Sequence, residues 1–127
     1  MTKFTYYQVV PFTKEEAETA FANGDPGEIS NALLGLAYFD SDWQYVQDLC
    51  IKFLSDQNGK NHTIAAICLG HLARIHKNPD LRKNIPFLEG FLSNPEIGGE
   101  VENVIDEIKF HTKPRRQAHK RKLLRDC

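Results

Sequence analysis

FLSDQNGKNHTIAAICLGHLARIH, from Phe53 to His76, and FLSNPEIGGEVENVIDEIKFH, from Phe91 to His111, decide the reading of this chain. Each opens on Phe-Leu-Ser at the end of one apolar-striped segment. Each then passes through a polar turn containing glycine and enters a second stripe. The offset is 38 residues at Phe53/Phe91 and 36 at Leu69/Ile105, because the second turn is shorter. A period near 40 with two helices per unit is the mark of stacked helix pairs. One pair cannot bury its apolar face alone, so neighbours must stack and together present a long concave surface. The competing reading is two unrelated amphipathic hairpins in an ordinary helical bundle.

Working outward, further pairs come into view. Thr13 and Glu16 form a Thr-x-x-Glu capping box that starts a helix, and Asn23-Gly24 ends it. Asp25-Pro26 restarts one with proline in its first turn, and Ile29, Leu33, Leu36 and Ala37 stripe it to about Phe39. Ser41 and Gln44 read as another capping box, followed by Trp43, Val46, Leu49, Cys50, Phe53 and Leu54 at steps of three and four. Gln57-Asn58-Gly59-Lys60 is a turn, and Asn61 is placed to cap the next helix, striped by Ile64, Ile67, Cys68, Leu72 and Ile75. Asn78-Pro79 stops it. A fifth helix is expected over 81–93, and Val101, Val104, Ile105 and Ile108 stripe a sixth after Gly98-Gly99. The expected pairs are 14–23 with 26–39, 42–55 with 61–76, and 81–93 with 99–111, joined by the short connections of antiparallel neighbours. The inner stripes predict a core of Leu49, Phe53, Ile67, Leu72, Phe91, Val104 and Ile105. An extended N-terminal arm with Phe4, Tyr6, Tyr7, Val9 and Val10 is expected to pack on the first helices. The organisation is thus an all-α body over 1–112 and a basic tail over 113–127.

The run WQYVQDLCIKFLSDQNGKNHTIAAICLGHLARIHKNPDL, with the later PFLEGFLSNPEIGGEVENVIDEI, resembles a HEAT-repeat family of small bacterial proteins. Cys-Leu-Gly-His-Leu-Ala-Arg-Ile at 68–75 is its most specific part, and the likeness covers about residues 29–110. The resemblance implies a HEAT-like solenoid of three antiparallel pairs. It also implies an immunity protein that neutralises a toxin delivered between competing bacteria, as in contact-dependent growth inhibition.

Charge adds a physical argument. The 127 residues carry 16 Lys and Arg against 17 Asp and Glu, a formal charge of −1. Residues 113–127 hold seven of those bases and one acid, Asp126, which leaves residues 1–112 with nine bases, sixteen acids and a formal −7. Such a body attracts basic partners and repels nucleic acid, whereas the tail does the reverse. The tail lacks the interleaved aromatics that read bases, so it offers phosphate contact alone. It is expected to be dispensable for the fold. No apolar run is long enough to span a membrane. The opening MTKFTYYQVVPF has one lysine and no small-residue cleavage site, so a cytoplasmic protein is expected.

Enzyme chemistry finds little support. His62, Cys68, His71 and His76 could be imagined around zinc, but His62 and His76 lie at opposite ends of one helix and no Cys-x-x-Cys or His-Glu-x-x-His occurs. Cys68 and His71 share a helix face, yet a cysteine on an apolar stripe is normally inert. No metal, cofactor or catalytic set is therefore expected. The favoured function is binding and covering the active site of a toxin domain, with a basic nuclease as the expected class. The alternatives are a nucleic-acid-binding helical-repeat protein and a non-catalytic scaffold between proteins. The candidate partner-binding residues are polar positions of the second helices, namely Glu28, His71, Glu100, Glu102, Asp106 and Glu107. Tyr38, Asp40, Asp42 and Trp43 join them near the first inter-pair turn. Trp43 begins an apolar stripe and reads first as core, with a partner contact second, and Arg74 reads as a strut to Asp40 or Asp42 linking two repeats.

Overall fold

The computed structural model describes residues 9–56 and 60–113. The arm residues Phe4, Tyr6 and Tyr7, the turn residues Gln57, Asn58 and Gly59, and the tail beyond Lys113 lie outside the described residues. Six α-helices and one 3-10 helix make up the body, and no strand occurs among the described residues. They are α1 (Lys14–Asn23), α2 (Pro26–Phe39), α3 (Trp43–Ser55), α4 (His62–His76), a 3-10 helix (Pro79–Asn84), α5 (Ile85–Glu89) and α6 (Gly98–His111).

Local chemistry explains most of the boundaries. Glu16 N–H donates to Thr13 Oγ1 at 3.0 Å while Glu16 Oε1 accepts from Thr13 N–H at 2.9 Å, closing the expected capping box. Gly24, at φ 79°, ends α1 in the left-handed conformation that only glycine adopts cheaply. Asp25 caps α2, whose first turn holds Pro26. The cap of α3 is Asp42, not Ser41: the Asp42 carboxylate accepts from Tyr45 N–H at 3.2 Å. Asn61 does not cap α4 with its side chain. Its Nδ2 instead donates to Pro26 O and Ser30 Oγ, both at 3.0 Å, so this buried amide ties the start of α4 to the start of α2.

The expected helix over 81–93 is broken. Asn78 caps a 3-10 turn, and Pro86 removes the N–H that would have continued an α-helical ladder. After Glu89 the backbone bonds shorten to three-residue spacing, with Phe91 N–H to Leu88 O at 2.9 Å and Leu92 N–H to Glu89 O at 3.2 Å. Gly98 then lies so close to the Leu92 carbonyl that a Cβ would overlap it. Asn84 holds the irregular stretch to α3, its buried Nδ2 donating to Gln47 Oε1 at 2.8 Å. Arg82 reaches the Lys109 carbonyl at 3.2 Å, joining the same stretch to the end of α6.

The core centres on α4 and α2. α4 packs against α2, α3 and α6, and α2 against α1 and α3. Small residues on α4, Ala65, Ala66, Gly70 and Ala73, are all buried and let its neighbours approach closely. Leu33, Leu36, Leu69, Leu72 and Ile108 are fully buried between the layers. Of the predicted core, Leu49, Leu72, Val104 and Ile105 are buried. Phe53, Ile67 and Phe91 are only half-buried. Phe53 sits in the last turn of α3 and Phe91 in the turn beyond α5, and each meets another aromatic edge-on at 5.3 Å, Phe21 and Phe87 respectively. Trp43 is half-buried against the core.

α2, α4 and α6 begin at residues 26, 62 and 98, a constant spacing of 36. Position ten of the three helices is therefore Gly35, His71 and Glu107. On α2 that position is covered by the non-helical segment Val9–Phe12. A Cβ on Gly35 would overlap the Val10 carbonyl oxygen and lie 2.7 Å from Phe12 Cδ1. Gly35→Ala is accordingly expected to cost about 1–3 kcal/mol, as overpacking does. Gly99→Ala, where no atom lies within 4 Å, should be neutral or slightly stabilising. Denaturant midpoints of the two variants check this, and equal midpoints would mean that Val9–Phe12 does not seat on α2.

Candidate functional site

A concavity with convergent polar groups lies between α4 and α6. Its volume is about 400 Å³, and it is lined by Ile67, Gly70, His71 and Arg74 from α4 and by Glu100, Asn103, Val104, Asp106 and Glu107 from α6. Such a volume lies at the lower end of ligand-binding clefts. The α4 residues recur at steps of three and four, which places them on one helix face. Gly70 keeps the floor open. Its backbone is bare toward α6, with Val104 Cγ2 at 3.7 Å from where a Cβ would stand.

One wall is a hydrogen-bonded stack. The Tyr38 ring meets the His71 ring edge-on at 4.7 Å. His71 Nδ1 lies 2.9 Å from Arg74 Nη1. A guanidinium can only donate, so Nδ1 accepts and neutral His71 carries its proton on Nε2. Burial first, and then the Arg74 charge, pull the His71 pKa down to about 4. His71 Nε2 is buried and has no hydrogen-bond partner. On the facing wall, Glu107 Oε1 is likewise buried without one. It lies 3.3 Å from His111 Nε2, within ion-pair reach but outside hydrogen-bond geometry. Both residues line the groove, but these two atoms are shielded from solvent.

The depressed His71 pKa has a consequence for stability. The unfolded chain takes up a proton near pH 6.5, the folded chain only near pH 4. Stability from this group is therefore present above pH 6.5 and lost as pH falls toward 4. His76, shifted down by burial, acts in the same direction. His71→Gln should flatten the fall of the urea midpoint between pH 6.5 and 4.5. An unchanged slope would mean that His71 is freely solvated.

The groove gathers His71, Glu100, Asp106 and Glu107 from the sequence-derived candidates, with Tyr38 behind His71. The other candidates lie elsewhere. Glu102 is exposed on α6 but does not line the groove. Glu28 lines a separate cleft with Phe12, Glu16 and Asn31. Asp42 is engaged: Lys14 Nζ donates to its Oδ2 at 2.8 Å, and that bond, with the one from Tyr45 N–H, holds its carboxyl below the ordinary value. Asp40 Oδ1 accepts from Asp42 N–H at 2.8 Å. Arg74 pairs with neither aspartate, since its guanidinium turns to His71 instead. Ile67, Gly70, Arg74 and Asn103 were absent from the candidates. The i, i+3, i+4, i+7 spacing of Ile67, Gly70, His71 and Arg74 was the available signal.

Cys68 is fully buried beside Cys50, both thiols are free, and the contact with Cys50 together with burial pushes the Cys68 thiol well above its ordinary value. A thiol so placed is a poor nucleophile. No group of three or more His, Cys, Asp or Glu able to hold a metal ion occurs among the described residues. No helix among them is long and apolar enough to cross a membrane. Comparison with protein-family models, curated proteins and solved structures returned no match to this chain.

Proposed function

We propose that this chain is an immunity protein, a non-catalytic HEAT-like array that binds a cognate bacterial toxin domain in the cytoplasm and covers its active site. The observation that carries the proposal is the α4–α6 groove. Its three carboxylates, Glu100, Asp106 and Glu107, outnumber the single guanidinium of Arg74. A net-acidic concavity on a body of formal charge −7 suits a basic partner such as a nuclease cleft, and its field speeds encounter. Nucleic acid would meet the same carboxylates unfavourably. The array reading is supported by the constant spacing of α2, α4 and α6 and by the contacts of α2 with α4 and of α4 with α6. The resemblance of residues 29–110 supplies the toxin.

The test is capture and protection. The tagged chain, expressed in its native host, should retain one protein partner in stoichiometric amount. Expression of that partner alone should arrest growth, and co-expression of this chain should restore it. Retention on a nucleic-acid column with no protein partner, or a partner harmless to cells, would overturn the proposal.

A further inference from the structure

Charge is segregated on this fold. Residues 77–83 and 109–113 carry five bases, Lys77, Arg82, Lys83, Lys109 and Lys113, against one acid, Asp80. The rest of residues 1–112 carries five bases and fifteen acids. The two basic stretches meet at one edge. The first leaves the end of α4 and forms the 3-10 helix, and the second ends α6. Arg82 joins them, its Nη1 donating to the Lys109 carbonyl at 3.2 Å. Asp106, one turn before Phe110 on α6, bounds this edge on the side of the groove.

No carboxylate neutralises these cations. Lys77 Nζ donates to the Arg74 carbonyl at 3.0 Å, and Arg82 likewise meets a backbone carbonyl. None of the five lies within ion-pair distance of an Asp or Glu among the described residues. Lys77, Lys83, Lys109 and Lys113 are exposed. Bases near helix C-termini offset the dipole, which accounts for charge here but not for the aromatic ring set among it. Phe110 is 67% exposed, more than any other large apolar side chain among the described residues. Lys113 Nζ lies over its ring, 5.4 Å from the centroid. An open ring flanked by cations is the arrangement that holds a single strand, since a base stacks on the ring while phosphates meet the cations. Beyond Lys113 the tail adds six bases and one acid but no Phe, Tyr or Trp, so it adds phosphate charge and no stacking platform.

We infer that the edge made by the end of α4, the 3-10 helix and the end of α6 binds single-stranded nucleic acid. One base stacks on Phe110, and the neighbouring phosphates meet Lys77, Lys83, Lys109 and Lys113. This surface is distinct from the α4–α6 groove and independent of the toxin partner proposed above, so either can fail without the other.

The experiment measures the fluorescence anisotropy of a labelled oligothymidylate of about twelve nucleotides against the full chain. Binding is expected at low salt, and the logarithm of affinity should fall against that of salt with a slope of about 0.7 per phosphate contacted. Lys83→Gln combined with Lys109→Gln should reduce that slope by about 1.4. Phe110→Ala should keep the slope and weaken binding about fivefold or more, through loss of one stacked base. Binding of a duplex of the same length should be indifferent to Phe110→Ala, because its bases stay stacked on one another. All three side chains are exposed, so the urea midpoint should not move in any variant. Failure of the single strand to bind, or parental affinity in Phe110→Ala, would overturn the inference. An unchanged slope in the lysine pair would do the same, since the tail alone would then hold the strand. Tighter binding to vesicles rich in phosphatidylserine than to the oligonucleotide would overturn it in favour of a membrane surface.

Discussion

Leu72→Ala is expected to remove about 2–5 kcal/mol of stability. Leu72 is fully buried on α4, the helix that packs against α2, α3 and α6 at once. The neighbouring Ala65, Ala66, Ala73 and Gly70 carry too little side chain to collapse into the space left behind. The cavity term should therefore add to the lost transfer energy. Against a total stability of about 5–15 kcal/mol for a domain of ordinary size, that loss is a large fraction. Ile67→Ala on the same helix should cost much less, because Ile67 is half-exposed along the groove. Urea midpoints at a constant denaturant slope measure both. Equal losses would mean that the groove is closed in solution and that Ile67 belongs to the core.

Where a short stretch contains its own donor and acceptor, the sequence was legible. Thr13 with Glu16, Gly24, and Asp25 with Pro26 place the ends of α1 and α2 without any knowledge of the rest. The stripes of α3, α4 and α6 likewise picked out Leu49, Leu72, Val104 and Ile105 as core. What escaped were choices between local and distant partners. Ser41 and Asp42 are both competent caps, and the ion pair with Lys14 accompanies the use of Asp42. Asn61 looks like a cap, but its amide is worth more as a buried link to Pro26 and Ser30 across the layers. The break after Glu89 is accompanied by close packing of Gly98, the first residue of α6, on the Leu92 carbonyl, a contact that periodicity does not register. Phe53 and Phe91 match a helical stripe, yet Phe53 lies in the last turn of α3 and Phe91 in the turn beyond α5, and both are only partly buried.

The candidate site divided for the same reason. Spacing put Glu100, Asp106 and Glu107 on the outer positions of α6, and the structure opens these onto His71. Asp42 carried equal weight as an acid in the sequence, but Lys14, twenty-eight residues earlier, neutralises it. Arg74 was read as a strut to a loop acid, Asp40 or Asp42, linking two repeats. Its turn toward His71, whose ring Tyr38 also meets, is visible only in the folded chain.

Reversing the charges of Asp106 and Glu107 together to lysine is expected to abolish capture of the protein partner while leaving the fold intact. Asp106 is exposed and Glu107 is half-exposed, so neither replacement opens a cavity. The groove would change from three carboxylates and one guanidinium to one carboxylate and three cations, reversing its sign. Like charges brought together at an interface cost several kcal/mol, which corresponds to a loss of a hundredfold or more in affinity, of order ~3 kcal/mol and above. Part of the loss should appear in the association rate and shrink as salt rises, because exposed charges are screened over about 8 Å at physiological ionic strength. The remainder should be salt-resistant, since charges buried in a formed interface are screened much less. Glu102→Lys and Glu28→Lys alter the net charge without touching the groove, so each should slow association modestly and leave dissociation unchanged. Association and dissociation rates of the parent and the three variants, measured at low and high salt, separate these effects. If Glu102→Lys weakens binding as much as the groove pair does, recognition follows the field of the whole acidic body, and the α4–α6 groove is not the contact.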